Sequence, residues 1–150
     1  MNATEATTLV LTRTFAAPVA RVWRAFTEPT ELKKWYALND EWTTPIAEVD
    51  LRVGGQYRLG LQPPGREPFF ETGEYREIVE NERLVYTCAL TGDGDVGHDE
   101  TLVVVEFKAR GDETDVVITQ GYATVADRDV HGRGWSMFLE RLAHLVSTQA

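Results

Sequence analysis

The sequence predicts an α+β fold in which seven antiparallel strands and two short helices accompany one long C-terminal helix, and three observations predict it. First, within Asp127 to Thr148 the residues Trp135, Phe138, Leu139, Leu142, Leu145 and Val146 share a sector of about 120° at roughly 100° per residue, while Glu140, Arg141 and His144 lie outside it. Second, the upstream runs alternate or are rich in β-branched and aromatic residues, the pattern of strands whose sheet needs a helix over one face. Third, most of these runs are joined by short turns, which makes neighbours antiparallel, and no internal repeat or linker divides the chain. At 150 residues, one domain is expected.

The elements follow in order. Met1 to Ala6 is polar, and Thr7 to Phe15 reads as a strand with Leu9, Leu11 and Arg13 on one face. Pro18, in a favoured first-turn position, opens a helix to Thr27 with Val19, Val22, Trp23 and Phe26 at helical spacing. Pro29 breaks it and starts a second short helix through Glu31, Leu32 and Trp35. Tyr36 to Pro45, carrying Trp42, has no periodicity and reads as a loop over the body of the domain. Trp35 and Trp42 either cover a site or close the end of the core.

Ile46 to Leu51 and Gln56 to Gln62 read as strands about a Val53-Gly54-Gly55 turn. Pro63-Pro64-Gly65 ends that hairpin. Phe69 to Glu80 is a long, heavily charged strand of ambiguous parity, and Gly73 in its middle suggests a bulge or bend. Arg83 to Thr91, Glu100 to Arg110 and Glu113 to Tyr122 complete the sheet, with a hairpin tip at Gly92 to Asp99. Thr124, three residues before Asp127, is placed to cap the last helix, and Asp127 and Asp129 suit its positive end.

A formal charge of −9 disfavours nucleic acid and anionic membrane surfaces. One cysteine, Cys88, excludes an internal disulfide and suits a small buried hydrophobe. No N-terminal apolar run or 18-residue apolar window occurs, so a cytoplasmic protein without membrane insertion is expected. The three histidines share no metal-ligand spacing, and His98 and His144 read as solvated. An acidic stretch of Asp93, Asp95, Asp99 and Glu100 fails the calcium-loop pattern, with His98 where glycine is needed and Val104 where glutamate is needed. Gly54-Gly55 lacks the lysine and helix of a phosphate loop, and Ser136 and Ser147 form no nucleophile elbow. No metal or cofactor is expected.

Several stretches carry a resemblance. They are Arg13-Thr14-Phe15 leading to Pro18-Val19-Ala20-Arg21-Val22-Trp23, then Leu32-Lys33-Lys34-Trp35, and Asp50-Leu51-Arg52-Val53-Gly54-Gly55. Gly73-Glu74-Tyr75 running into Asn81-Glu82-Arg83-Leu84-Val85-Tyr86, and His131 ahead of Gly134-Trp135 and Leu139, complete the set. Together they resemble the START-like (SRPBCC) superfamily, in the branch named after the activator of the heat-shock-protein 90 ATPase. The resemblance implies a helix-grip fold, a curved sheet wrapped around the long helix with a cavity between them. Members bind varied hydrophobic ligands, and some are cyclases or hydrolases. In the named co-chaperone a further N-terminal domain works with this one; here no residues are left over for it, so a chaperone partner is not expected.

The expected cavity lining is Tyr57, Leu59, Val105, Phe107 and Ile118 from strands and Trp135 and Phe138 from the helix, with Trp35 and Trp42 at its end. A filled core is the alternative. Gln120, in phase with Val116 and Ile118, would need a hydrogen-bond partner if buried, which a ligand or a trapped water could supply. His131, four residues before Trp135, should point toward the mouth of the cavity as a polar site residue.

The leading expectation is binding of a small hydrophobic or amphipathic molecule, with Trp135 and Phe138 as one wall, Tyr57 and Phe107 as the other, and His131 and Gln120 orienting the polar group. The alternative is a cyclase or hydrolase acting on an aromatic or polyketide-like compound, with His131 or a strand carboxylate such as Glu74 as acid or base. Glu74 or Arg76 buried beside His131 would favour that alternative. A third reading is a co-chaperone-like interaction module using the exposed sheet or the Tyr36 to Pro45 loop.

Overall fold

The computed structural model of the protein describes residues 7–91 and 98–148. Its strands are β1 (Thr8–Phe15), β2 (Thr43–Val49), β3 (Gln56–Gln62), β4 (Phe69–Val79), β5 (Arg83–Thr91), β6 (His98–Arg110) and β7 (Glu113–Gly121). They form one curved, open antiparallel sheet in the order β1-β7-β6-β5-β4-β3-β2. Helices α1 (Val19–Thr27) and α2 (Pro29–Trp35) lie between β1 and β2, and α3 (Val125–Thr148) follows β7. From β2 to β7 each strand pairs with the next in sequence, and β1 then pairs with β7, Leu11 opposite Ile118.

The short helices close one end of the interior. Pro18 sits just outside α1 instead of in its first turn: at φ −64° and ψ 155° it is extended, and its carbonyl accepts from the N–H groups of Arg21 and Val22. Glu28 ends α1 and begins α2, its extended backbone being the conformation that a following proline imposes. Val22, Trp23 and Phe26 turn inward from α1. Trp35 is 0% exposed, and its indole N–H donates to the Ala25 carbonyl at 2.8 Å, which ties the elbow together.

β2 begins at Thr43, earlier than the expected Ile46, because Pro45 falls within a register shift between Thr43 and Ile46 on the edge strand, where proline is tolerated. It ends at Val49, and Leu51 and Val53 stay exposed in the connection to β3. That connection folds back on β4: Gly54 N–H donates to the Tyr75 carbonyl at 2.8 Å, and Tyr75 N–H donates to the Gly55 carbonyl at 2.9 Å.

Gly73 in β4 is not a bulge. It pairs opposite Tyr57, and the irregularity falls further on, between Tyr75 and Glu77. Glycine is needed there for close approach, since a Cβ at this position would lie 1.8 Å from the Thr87 carbonyl oxygen and 2.6 Å from the Tyr57 ring. β6 starts at His98, so His98 and Asp99 belong to a strand; the rest of the expected hairpin tip, with Asp93 and Asp95, lies outside the described residues.

α3 starts where its cap predicts, the Asp127 N–H donating to Thr124 Oγ1 at 3.0 Å. Trp135, Leu139, Leu142 and Val146 are buried along one stripe, and Phe138 and Leu145 flank it half-buried. Arg13 on β1 meets Glu140 on α3 at 2.8 Å. Under α1 and the C-terminal half of α3, Val22, Val105, Phe107, Val116, Ile118 and Leu142 are buried. Among the described residues no helix is long and apolar enough to cross a membrane.

Candidate functional site

At the other end of the sheet the layers part, leaving a pocket of about 410 Å³. The N-terminal half of α3 forms one side with His131, Gly134, Trp135 and Phe138. The chain between α2 and β2 forms a second side with Tyr36, Leu38 and Trp42, and the sheet forms the floor with Leu61, Phe69, Glu71, Cys88 and Gln120. Two hydrogen bonds fix the second side: Thr44 Oγ1 donates to the Tyr36 carbonyl at 2.7 Å, and Arg141 Nη1 of α3 donates to Asp40 Oδ1 at 2.5 Å. Aromatic contacts organise the walls. Tyr36 and Phe138 lie 4.4 Å apart between ring centroids, Trp42 stacks on Phe69 at 6.1 Å, and His131 stacks on Tyr122 at 5.1 Å and 7°.

Five residues expected at the site line this pocket: Trp42, Gln120, His131, Trp135 and Phe138. Six others, Trp35, Tyr57, Leu59, Val105, Phe107 and Ile118, point inward but do not line it. The reason is α1. Trp23 and Phe26 pack edge-on against Phe107 at 5.2 and 5.4 Å, and Phe26 against Trp35 at 5.1 Å, so this end of the interior is filled. Tyr57, Leu59 and Trp35 instead border a void of about 20 Å³, sized for a single water. The sheet-side wall expected at Tyr57 and Phe107 is therefore built from Leu61, Phe69, Glu71 and Cys88.

Gln120, 2% exposed, has protein partners for both ends of its amide. The Trp135 indole N–H donates to Oε1 at 2.8 Å, and Nε2 donates to Thr101 Oγ1 at 2.8 Å. An indole can only donate, so this contact orients the amide. Thr101 Oγ1 in turn donates to the Cys88 carbonyl at 3.0 Å. The residue positions Trp135 in the wall, and no ligand is required to satisfy it. Glu74, the carboxylate considered for acid or base chemistry, pairs with Arg76 at 3.0 Å in a part-exposed position away from the pocket, and Arg76 is exposed.

The buried carboxylate is Glu71, on the heavily charged strand whose parity the sequence leaves ambiguous. It is 6% exposed at the pocket floor. Tyr36 Oη donates to Oε1 at 2.7 Å and Tyr57 Oη to Oε2 at 2.9 Å, with the Thr87 carbonyl 3.1 Å from the Tyr57 hydroxyl. Burial first, and then the charge of Glu71, pushes the hydroxyls of Tyr36, Tyr57, Tyr75 and Tyr86 above their ordinary values. The Cys88 thiol is raised by the same two causes in the same order, which keeps it protonated and poorly nucleophilic. Tyr122 is raised too, by burial first. A signal for Glu71 was present in the sequence, since Phe69 and Tyr75 share its parity while Thr72, Glu74 and Arg76 occupy the other.

Comparison with known proteins agrees with this architecture. A family model described as Activator of Hsp90 ATPase homolog 1-like protein matches residues 16–147. A search of curated proteins finds no match. Among solved structures, the chain is similar to a protein from Chromobacterium violaceum at 29% identity and a TM-score of 0.79, over 93% of this chain and 96% of that one. It is similar to a protein from Nitrosomonas europaea at 27% identity and a TM-score of 0.82, over 100% of both chains. A protein from Rhizobium leguminosarum gives 28% identity and a TM-score of 0.81, over 95% of each.

Proposed function

The chain belongs to the family of activator of Hsp90 ATPase homolog 1-like proteins, and from that premise and the geometry of its pocket we propose that it binds a small hydrophobic or amphipathic molecule between the sheet and the N-terminal half of α3. The observation that carries this reading is the pocket of about 410 Å³ walled by Tyr36, Trp42, Phe69, Trp135 and Phe138. Its volume is at the low end of the ~300–1,000 Å³ range of small-molecule sites, and apolar walls with a few placed polar groups are the usual lining. A compact molecule fits better than a long-chain lipid. His131, beside Tyr122 on the α3 side, and Glu71 at the floor supply the polar groups. We read the protein as a cytoplasmic carrier or sensor more than as an enzyme: of the strand carboxylates, Glu74 pairs with Arg76 away from the pocket, and the buried Glu71 has both oxygens held by tyrosine hydroxyls.

The test compares native and denatured masses of the purified protein, then titrates it with N-phenyl-1-naphthylamine, an uncharged fluorescent probe that the tryptophans of the pocket can excite. Gly134→Phe supplies the control, because a Cβ at Gly134 meets nothing nearer than Leu38 Cδ2 at 3.7 Å and the added ring enters the pocket. Binding to wild type and its loss in a Gly134→Phe variant whose melting temperature is no lower is the expected result. Equal binding by both proteins would place the probe elsewhere and refute the proposal.

A further inference from the structure

We propose, resting on the ligand-binding reading above, that the ligand is a lipophilic amine: a compact apolar skeleton whose protonated nitrogen seats against Glu71 at the pocket floor. A carboxyl group 6% exposed among aromatic rings is expensive to bury, and what surrounds it states what it can recognise. Tyr36 and Tyr57 reach Glu71 from different elements and donate to different oxygens, 2.7 and 2.9 Å, so the carboxyl is held in one orientation. A bound ammonium would give the carboxylate charge-assisted hydrogen bonds, roughly twice as strong as those between neutral groups. The rings of Tyr36, Trp42, Phe69, Tyr122, Trp135 and Phe138 line the same pocket. Ring faces are electronegative, and an aromatic cage over a carboxylate is a binding environment for an organic cation.

Other head groups fit less well. A carboxylate ligand would bring a like charge to Glu71 within a chain of net charge −9. A neutral hydroxyl gains a hydrogen bond but neither the ion pair nor the ring faces. Among the described residues, the basic side chains that line the pocket, His131 and Arg133, both come from α3, and the other titratable groups there besides Glu71 are Tyr36, Tyr122 and Cys88. Arg133 is exposed, so water and salt screen its charge far more than that of the buried Glu71.

The experiment uses three probes of one skeleton, 2-naphthylmethylamine, 2-naphthylmethanol and 2-naphthoate, titrated into the whole protein at neutral pH. Each is scored by displacement of N-phenyl-1-naphthylamine. On wild type the amine should bind at least about tenfold tighter than the alcohol, equal to about 1.4 kcal/mol, with the carboxylate weakest. In Glu71→Gln, checked for an intact melting transition, the amine's advantage should fall to within about threefold, and in Gly134→Phe amine binding should be lost. An amine no tighter than the alcohol, or a carboxylate as tight as the amine, would overturn the ligand class while leaving the pocket reading intact. An amine that binds Gly134→Phe equally well would be held by the acidic surface and would overturn it too. Failure of all three probes and of the uncharged dye would remove the pocket reading and this inference together. Should Glu71→Gln not fold, the wild-type order and the Gly134→Phe result still decide.

Discussion

All five tyrosines of the protein respond to Glu71, four through burial followed by its charge and Tyr122 through burial, Cys88 and Glu71 in turn. These phenols are neutral when protonated, and the folded state holds their protons more tightly than the unfolded chain does. Their contribution to stability is therefore complete below the ordinary tyrosine value of about 10 and is lost as pH rises from there toward the folded values. Each tyrosine still protonated in the fold but ionised in the unfolded chain steepens the loss by about 1.4 kcal/mol per pH unit. Cys88, raised from an ordinary value of 9.0, begins the decline slightly earlier. Urea midpoints followed from neutral pH upward should thus fall steeply above about pH 10, with a shallower slope in Tyr86→Phe. Tyrosinate absorbance should appear together with unfolding; its appearance in a protein still folded would show that these hydroxyls are not sealed as described.

The elements differ in how they tolerate a methyl group at glycine. At Gly73 in β4 the added carbon would sit 1.8 Å from a backbone oxygen of β5, and neither strand can yield without breaking its ladder. Gly73→Ala should cost about 3 kcal/mol or more, at the upper end of overpacking effects. At Gly134 in α3 the nearest contact is 3.7 Å, so Gly134→Ala should gain roughly 0.5–1 kcal/mol from helix propensity alone. Paired urea denaturations measure both, and a destabilised Gly134→Ala would mean that the pocket-facing side of α3 is tighter than drawn. The same contrast explains what was readable at this scale. The stripe of α3 and its Thr124 cap are local, and periodicity reveals them. The need for glycine at position 73 comes from Tyr57 and Thr87, far away in sequence, so local pattern alone suggests only a bulge or bend there.

For the molecule as a whole, element order, strand pairing and the family resemblance were legible because they depend on local pattern and short turns. The position of the pocket was not. Alternation places Tyr57, Val105, Phe107 and Ile118 inside, as the structure has them, but cannot tell which part of the interior a facing layer will fill; Trp23 and Phe26 of α1 decide that. The phase of Gln120 with Val116 and Ile118 marks it as an amide that needs partners if buried, yet those partners, Thr101 and Trp135, arrive from other elements. Glu71 went unrecognised because charge on β4 outweighed the parity it shares with Phe69 and Tyr75.

α3 serves two surroundings along its length: His131 to Phe138 border the pocket, whereas Leu139, Leu142 and Val146 sink into the filled core. One continuous helix should therefore behave as two cooperative units in amide hydrogen exchange. Amides around residues 131–138 open at a free-energy cost well below that of global unfolding, while those beyond Leu139 exchange only when the whole fold opens. A compound in the pocket adds its binding free energy to the first unit and levels the gradient. The slow-exchanging stretch then lengthens toward Thr124, and this growth of the protected helix gives a residue-resolved record of occupancy that needs no chromophore on the ligand.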